Sequence, residues 1–151
     1  MSLENPKIIP QTGFAQYDFS TMPNFYYTCD IISSKPSTTD VTNYCANLDI
    51  INEWCLLHKR QVGFVLINST NSISMPSHFN IAIGKFIKKY KAAKLNTILA
   101  GAFVFPNPMA KMVLKGIAIV SDFPFSVHVV STKEEAIKVM SNQLRKAGLV
   151  S

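Results

Sequence analysis

The chain has 151 residues and a formal net charge of +6, with 48% apolar and 16% charged residues. This size fits one domain, which we expect to span residues 1–151 with an N-terminal extension at residues 1–11. The sequence contains no run of about 18 apolar residues and begins without a secretory signal, so we expect a cytoplasmic protein without a membrane-spanning helix. The three cysteines, Cys29, Cys45 and Cys55, form no paired motif and suit reduced thiols inside a cell.

The first third of the chain predicts two strands and a helix. Phe14–Phe19 alternates within a segment rich in turn residues, which indicates an ordered extension or a weak first strand. Asn24–Ile32 is aromatic and β-branched, as is typical of a strand. A helix then begins with Thr38 or Thr39 as its N-cap and ends near His58–Arg60. Its apolar residues recur at helical spacing: Val41, Tyr44, Cys45, Leu48, Ile51 and Cys55, with Trp54 at the border.

The middle of the chain predicts two buried strands on either side of a second helix. Val62–Ile67 and Thr97–Phe105 are continuous apolar runs, which favour strands covered on both faces of a sheet. Pro76 suits the first turn of the helix between them. The inward-facing residues of that helix are predicted to be Phe79, Ile83, Phe86, Ile87 and Tyr90.

The last third predicts a helix, a short strand and a final helix. Asn107 caps the third helix with Pro108 at its first position, and Gly116 allows close packing. The expected inner face of this helix is Met109, Met112, Val113, Ile117 and Val120. Phe125–Val130 is a short strand. The final helix opens with a capping box, has an apolar stripe and ends at a glycine: Thr132 and Glu135, then Ala136, Met140 and Leu144, then Gly148.

Strands that alternate with helices in this order predict an α/β fold. We expect a single-domain mixed sheet of about four to five strands, joined by right-handed crossover helices. The sequence shows neither an internal repeat nor a linker, which agrees with a single domain.

Two passages resemble the STAS domain, the fold of sulphate transporters and anti-sigma-factor antagonists. They are VGFVLINSTN, which runs into the second predicted helix, and PFSVHVVSTKEEAIKVM, which resembles the last strand and final helix of that family. The resemblance covers roughly residues 12–147. In the family's antagonists a partner kinase phosphorylates a serine at the start of the second helix. The matching stretch here is Met75–Phe79, with Ser77 as the nearest hydroxyl and without the family's aspartate and glycine. The resemblance implies a non-enzymatic, STAS-like binding module.

Hydroxyl-rich loops follow the predicted strand ends, where open α/β sheets bind ligands at topological switch points. Helix N-termini at Pro76 and Asn107 add free backbone N–H groups that favour anions. The alternative is that these Ser and Asn side chains only form turns by bonding their own backbone. The candidate binding residues are Ser69, Thr70, Asn71, Ser72, Ser74, Ser77, His78 and Asn107, together with Lys85, Lys88 and Lys89 of the second helix.

The middle of the chain is uniformly basic. No acidic residue lies between Glu53 and Asp122. Such a charge attracts acidic protein surfaces, phosphorylated segments, anionic lipids or nucleic acid, although the same lysines could simply solvate helix faces. The basic residues of this stretch are Lys59, Arg60, Lys85, Lys88, Lys89, Lys91, Lys94, Lys111 and Lys115.

Catalytic groups are sparse in this pattern. The loop has no carboxylate, and Ser77 and His78 are adjacent in a helix, where neighbours do not face each other. The sequence has no GxSxG elbow, no Walker-type loop and no GxGxxG turn. Three scattered histidines make a poor metal set. We therefore expect no catalytic residues, no metal, no cofactor and no enzyme activity.

Two functions fit these observations. The first is a regulatory or scaffolding module that binds an acidic protein through loop 68–77 and the basic second helix. The alternative is binding of an anionic membrane surface, or of a small apolar or anionic ligand at the strand carboxyl ends. Nucleic acid is not expected, because the chain lacks an RNP-type motif and a zinc finger. Edge strands near residues 12–32 leave a homodimer open.

Overall fold

The computed structural model describes residues 4–22, 26–70, 72, 75–120 and 123–149. These residues form a five-stranded mixed sheet with four helices, which confirms the predicted α/β fold. The elements in chain order are β1 (Ala15–Asp18), β2 (Tyr26–Ile31), α1 (Thr38–Leu57), β3 (Val62–Asn68), α2 (Ser77–Ala92), β4 (Ile98–Val104), α3 (Pro108–Val120), β5 (Ser126–Val130) and α4 (Lys133–Lys146). The expected start of the second strand at Asn24 lies outside the described residues.

The strands lie in the sheet in the same order as in the chain, from β1 to β5. β1 pairs with β2 antiparallel, and β2, β3, β4 and β5 pair in parallel. Three right-handed crossovers that advance in one direction place α1, α2 and α3 on one face of the sheet. We call this the crossover face. The other face carries α4, which packs on β3, β4 and β5.

The core on the crossover face is aromatic. Phe14, just before β1, packs edge-to-face with Tyr44 of α1 at 5.9 Å and with Phe79 of α2 at 5.8 Å between ring centroids. Phe64 of β3 makes further edge contacts with Phe103 and Phe125. The first rings join α1 and α2 to the segment before β1, and the second join β3 to β4 and to the residue before β5. Such pairs add to the stability that burial alone provides.

The core on the α4 face depends on small residues. Ala100 and Ala102 of β4 are fully buried, and Gly63 of β3 lies directly under Met140 of α4. Because these positions carry little or no side chain, α4 approaches the sheet closely. The predicted stripe of Ala136, Met140 and Leu144 is buried here, which confirms the inner face of the final helix.

Residues 4–11 form an ordered extension that lies along α1, and we call this segment the strap. The side chain of Asn47, fully buried, accepts a hydrogen bond from the backbone N–H of Ile9 at 2.7 Å and donates one to its carbonyl at 2.9 Å. The indole N–H of Trp54 donates to the Glu4 carbonyl at 2.8 Å, and Gln11 Nε2 donates to the Asp40 carbonyl at 2.7 Å. The strap therefore runs antiparallel to α1 along most of its length.

The N-cap of α1 is Ser37, not Thr38 or Thr39 as predicted. The Ser37 hydroxyl accepts a hydrogen bond from the Asp40 N–H, and the Asp40 carboxylate accepts one from the Ser37 N–H. This reciprocal pair needs the acid three residues after the cap, which fixes the cap at Ser37.

The inner face predicted for α3 is wrong at its first turns. Met109 and Met112 are 61% and 74% exposed, whereas Ala110 is buried. Asn107 caps the helix as expected, its Oδ1 accepting from the N–H groups of Met109 and Ala110, and α3 then turns Ala110 inward. A Cβ on Gly116 would meet no described atom within 4 Å, so the described part of the structure does not show the close packing expected at this glycine. The side chains of Val113, Ile117 and Val120 lie outside the described part of the structure.

The three cysteines are free thiols. Burial raises the pKa of Cys29 and of Cys55 to about 12, so both remain protonated at neutral pH. Their place in the core agrees with the small apolar role that buried cysteines commonly have. Among the described residues, no helix is both long and apolar enough to cross a lipid bilayer.

Candidate functional site

The loop after β3 begins with a turn that its own side chains close. Asn68 Oδ1 accepts hydrogen bonds from the N–H of Thr70 at 3.0 Å and from its hydroxyl at 2.6 Å. Asn68 Nδ2 donates to the Ser72 carbonyl at 3.4 Å, and the Ser72 N–H donates to the Thr70 hydroxyl at 3.3 Å. These polar groups form a turn, which favours the connecting role over direct ligand binding at Thr70 and Ser72. Asn71 and Ser74 lie outside the described residues.

Ser69 ties this loop to the end of β2. Its hydroxyl hydrogen bonds to the Asp30 carboxylate, and its N–H donates to the Ile31 carbonyl at 3.0 Å. Ser69 thus extends the pairing of β2 with β3 by one residue beyond the strands.

The first turn of α2 presents Ser77 and His78 at the surface. His78 Nε2 lies 3.1 Å from the carbonyl oxygen of Pro36, in the segment before α1. This contact positions the beginning of α2 beside the beginning of α1. The Ser77 side chain is exposed at the first residue of the helix, where the helix dipole favours negative charge.

Four of the α2 residues form one continuous exposed line, which we call the α2 stripe. Ser77, Ile81, Lys85 and Lys88 follow each other at intervals of three or four residues, so they share one face of the helix. Ile81 is 58% exposed. The opposite face buries Phe79 and Tyr90, two of the predicted core residues. The stripe therefore combines one exposed apolar side chain with two exposed lysines.

Lys89 is turned away from the α2 stripe toward α1. Its Nζ lies 3.6 Å from Asp49 Oδ2, and both side chains are largely exposed. The pair partly compensates the charge of Lys89, and an exposed pair of this kind adds little to stability. We therefore leave Lys89 out of the stripe.

The side chain of Asn107 is used to cap α3. One turn later, α3 is connected to the end of the next strand. Lys111 Nζ donates to the Ser131 hydroxyl at 2.7 Å, which joins α3 to the end of β5. Because the strands follow chain order, the parallel part of the sheet has no switch point at which helices diverge to open a ligand crevice. The reason for expecting a small-molecule site at these strand ends is therefore weakened.

The described residues contain no group of three or more His, Cys, Asp or Glu side chains placed to hold a metal ion. His58 packs its ring against Trp54, with 4.8 Å between ring centroids. His128 lies in β5 beside Ala102 in the sheet register, on the α4 face. The three histidines thus serve three separate parts of the fold.

His128 has an unusual environment for a titratable group. Its Nε2 is buried and has no hydrogen-bond partner among the described residues. Burial, and then the nearby charge of Lys146, lowers the pKa of His128 below its ordinary value. The folded state therefore favours the neutral imidazole.

Replacing His128 by leucine is expected to reduce the acid sensitivity of the fold. Because the folded pKa lies below the unfolded value of about 6.5, stability falls as the pH drops below about 6.5, and the loss ends below the folded pKa. His128→Leu removes this titration and the unpaired nitrogen. Urea unfolding of both proteins between pH about 7.5 and about 5 measures the effect. Equal pH slopes for the two proteins would contradict it.

Sequence reasoning missed the apolar members of the exposed surface. Ile81 lies off the predicted apolar stripe of α2, on the side of the lysines. That position on the helix could have indicated that its side chain is exposed. Met109 and Met112 gave no such signal, because they are apolar like the buried Ala110 that lies between them.

The chain matches no protein-family model, no curated protein and no solved structure. The geometry of α2 and of its preceding loop is therefore the basis for a functional proposal.

Proposed function

We propose that the chain is a non-enzymatic regulatory or scaffolding module that binds an acidic protein through the α2 stripe and loop 68–77. The observation that supports this most is the exposed Ile81, with Lys85 and Lys88 one and two turns further along the same face. An apolar centre with a charged rim is the usual anatomy of a protein–protein interface.

The charge of the stripe favours an acidic partner. α2 contains no acidic residue, and the acid beside it, Asp49, engages Lys89 rather than the stripe. Lys85 and Lys88 are therefore available to carboxylates of a partner. Complementary charge of this kind accelerates association and selects among partners.

The STAS resemblance supports the same kind of function. The order of two strands followed by three helix–strand units and a final helix agrees with a STAS-like module. The exposed hydroxyl of Ser77 stands at the first residue of the second helix, where the family carries its regulatory serine. The proposal therefore includes two further points: that the chain is a STAS-like domain, and that it is located in the cytoplasm.

A small ligand at the strand carboxyl ends has weaker support. Thr70 and Ser72 bond within their own turn, Ser69 bonds to Asp30, and Asn107 caps α3. These contacts use the polar groups that such a ligand would need.

The test is capture of a partner from the native cells, followed by titration of that partner with purified variants. Lys85→Glu combined with Lys88→Glu is expected to weaken binding on the order of tenfold or more, because close charge pairs across interfaces contribute about 1.5 kcal/mol or more. Ile81→Ser is expected to weaken binding without changing the charge.

The matched control is Lys133→Glu combined with Lys138→Glu, the same charge change at exposed positions of α4. This control should bind the partner as the unmodified chain does. Circular dichroism confirms that each variant is folded. Equal losses for the α2 and α4 variants, or no loss for either, would rule out the α2 stripe as the interface.

A further inference from the structure

α1 and α2 end in the same type of C-cap. Arg60 N–H donates to the Cys55 carbonyl at 2.9 Å, and Leu95 N–H donates to the Tyr90 carbonyl at 3.2 Å. The residue before each donor has a left-handed backbone conformation: Lys59 with φ 52° in the first turn and Lys94 with φ 52° in the second. Both helices therefore close with a Schellman-type turn.

Lysine is an unusual residue at that position of the turn. The final helix, α4, ends in an equivalent turn but uses Gly148, with φ 75°. Glycine adopts this conformation without the steric cost that a Cβ brings. Lys59 and Lys94 carry that cost, and backbone strain of this kind is concentrated where function needs a particular side chain.

The two turns lie side by side at the amino ends of the parallel strands. Gln61 Nε2, next to the first turn, donates to the Asn96 carbonyl, next to the second, at 2.7 Å. The Val62 N–H donates to the Thr97 carbonyl at 2.9 Å. Lys59 and Lys94 thus belong to adjacent loops at the same end of the sheet, before the first residues of β3 and β4.

Exposed leucines accompany these lysines. Leu57, the last residue of α1, is 76% exposed, and Leu56 is 51% exposed. We call Leu56, Leu57, Lys59 and Lys94 the basic cap face. Glu53 lies one turn earlier in α1, and Glu4 lies beside Trp54, but the sequence has no acid from residue 54 to residue 121. The two segments that form the turns, 56–61 and 91–97, therefore carry only basic charged residues beside the exposed leucines, and the two acids lie at their border.

We propose that the basic cap face docks on an anionic phospholipid bilayer. Leu56 and Leu57 enter the boundary between headgroups and acyl chains, and Lys59 and Lys94 contact anionic headgroups. A bilayer interface provides apolar and anionic surroundings in this layered order, which suits leucines rimmed by lysines. In this proposal, the left-handed backbone conformations of Lys59 and Lys94 serve to place both ammonium groups at the rim of the leucines.

This interaction goes beyond the proposed protein binding and uses different residues. The α2 stripe starts at the opposite end of α2, at Ser77, and the helix of 16 residues is about 24 Å long. A membrane at the basic cap face therefore leaves the beginning of the stripe accessible to a protein partner.

The test is flotation of the full chain with vesicles of phosphatidylcholine, with and without phosphatidylserine. We expect binding only to the vesicles that contain phosphatidylserine, and release by salt. Lys59→Gly combined with Lys94→Gly should lower the partition coefficient about 30-fold, since each basic residue contributes about 1 kcal/mol near such a surface. The same variant should have a higher Tm, because glycine relieves the strain.

Opposite changes in binding and Tm distinguish lost contacts from lost structure. Leu57→Ser should also lower the partition coefficient, whereas Lys133→Gln combined with Lys138→Gln on α4 should retain it. The proposal fails if the unmodified chain does not float, if the α4 variant loses as much as the glycine variant, or if Leu57→Ser binds unchanged.

Two further outcomes would assign the binding elsewhere and overturn the proposal. Vesicle binding that is lost only with Lys85→Glu and Lys88→Glu would place the membrane contact on the α2 stripe. Retention on poly-glutamate beads without vesicle binding, and sensitive to Lys59→Gly and Lys94→Gly, would assign the basic cap face to an acidic protein. Partner capture without vesicles tests the proposed function separately.

Discussion

Gly63→Val is expected to destabilise the fold by about 3 kcal/mol, because it forces an extra side chain into a packed core. Valine is a better strand former than glycine, so local preference alone predicts the opposite sign. A Cβ at Gly63 would lie 2.8 Å from Cε of Met140 and closer still to its sulfur. Met140 is fully buried, so its thioether would have to repack against its core neighbours to admit the valine. The midpoint of urea unfolding measures the change.

A second substitution tests whether this contact is the cause. Met140→Ala alone is expected to cost about 2–5 kcal/mol by leaving a cavity. Combined with Gly63→Val, the total should be smaller than the sum by about 1–3 kcal/mol, since valine fills part of that space. Gly84→Ala is the control, because nothing lies within 4 Å of its Cβ, and it should stabilise α2 by about 0.5–1 kcal/mol. Strict additivity would contradict the packing explanation.

Asn47→Leu is expected to lower the free energy of unfolding by about 2–4 kcal/mol, because it leaves two part-buried backbone groups of Ile9 without partners. The side chains are similar in size, so lost hydrogen bonding rather than lost volume dominates. The strap should then detach from α1, and the Ile9 amide should exchange with deuterium much faster than in the unmodified protein.

The control for this variant is Thr42→Leu, an exposed position on the same helix. It makes the same kind of polar-to-apolar change and should alter stability by no more than about 0.5 kcal/mol. Protection of the Ile9 amide should persist in this control. Unchanged protection at Ile9 in Asn47→Leu would show that other contacts hold the strap.

Elements with a strong local signal could be predicted from the sequence. The stripe of Ala136, Met140 and Leu144, and the caps at Thr132 and Asn107, depend on residues a few positions apart, and periodicity and capping chemistry describe such neighbours well. The buried runs of β3 and β4 are similarly visible, because both faces of those strands are covered.

Features that depend on distant contacts could not be predicted. Asn47 is polar and sits within a helix, yet it is buried because the strap, 38 residues earlier, supplies its hydrogen bonds. The direction of α3 is another case. Lys111 and Lys115 mark one polar side, but Met109, Ala110 and Met112 are all apolar, so their character alone does not show which of them faces the core. Ser37 differs, because the acid at Asp40 already indicated the correct cap three residues before it.

The candidate site divides in the same way. Ser77, Lys85 and Lys88 were predicted as binding residues and are exposed on one stripe, because helical spacing fixes their common face. Thr70 and Ser72 were predicted from their hydroxyls, but composition does not show whether a hydroxyl is already bonded to its own turn. Lys89 was predicted as a binding residue with the other lysines, but the sequence does not show that Asp49 of α1 lies beside it.

The order of the strands has a consequence for synthesis of the chain. Strands β2, β3, β4 and β5 begin at residues 26, 62, 98 and 126, and each pairs with its immediate predecessor. Every new strand can therefore join a template that has already left the ribosome, without waiting for a later segment to be inserted between two earlier ones. Each parallel pairing joins strands that follow each other in the chain, and shorter sequence separations between contacting residues favour faster folding. The sheet can grow from one edge as its residues emerge, and α4 then covers β3, β4 and β5 last.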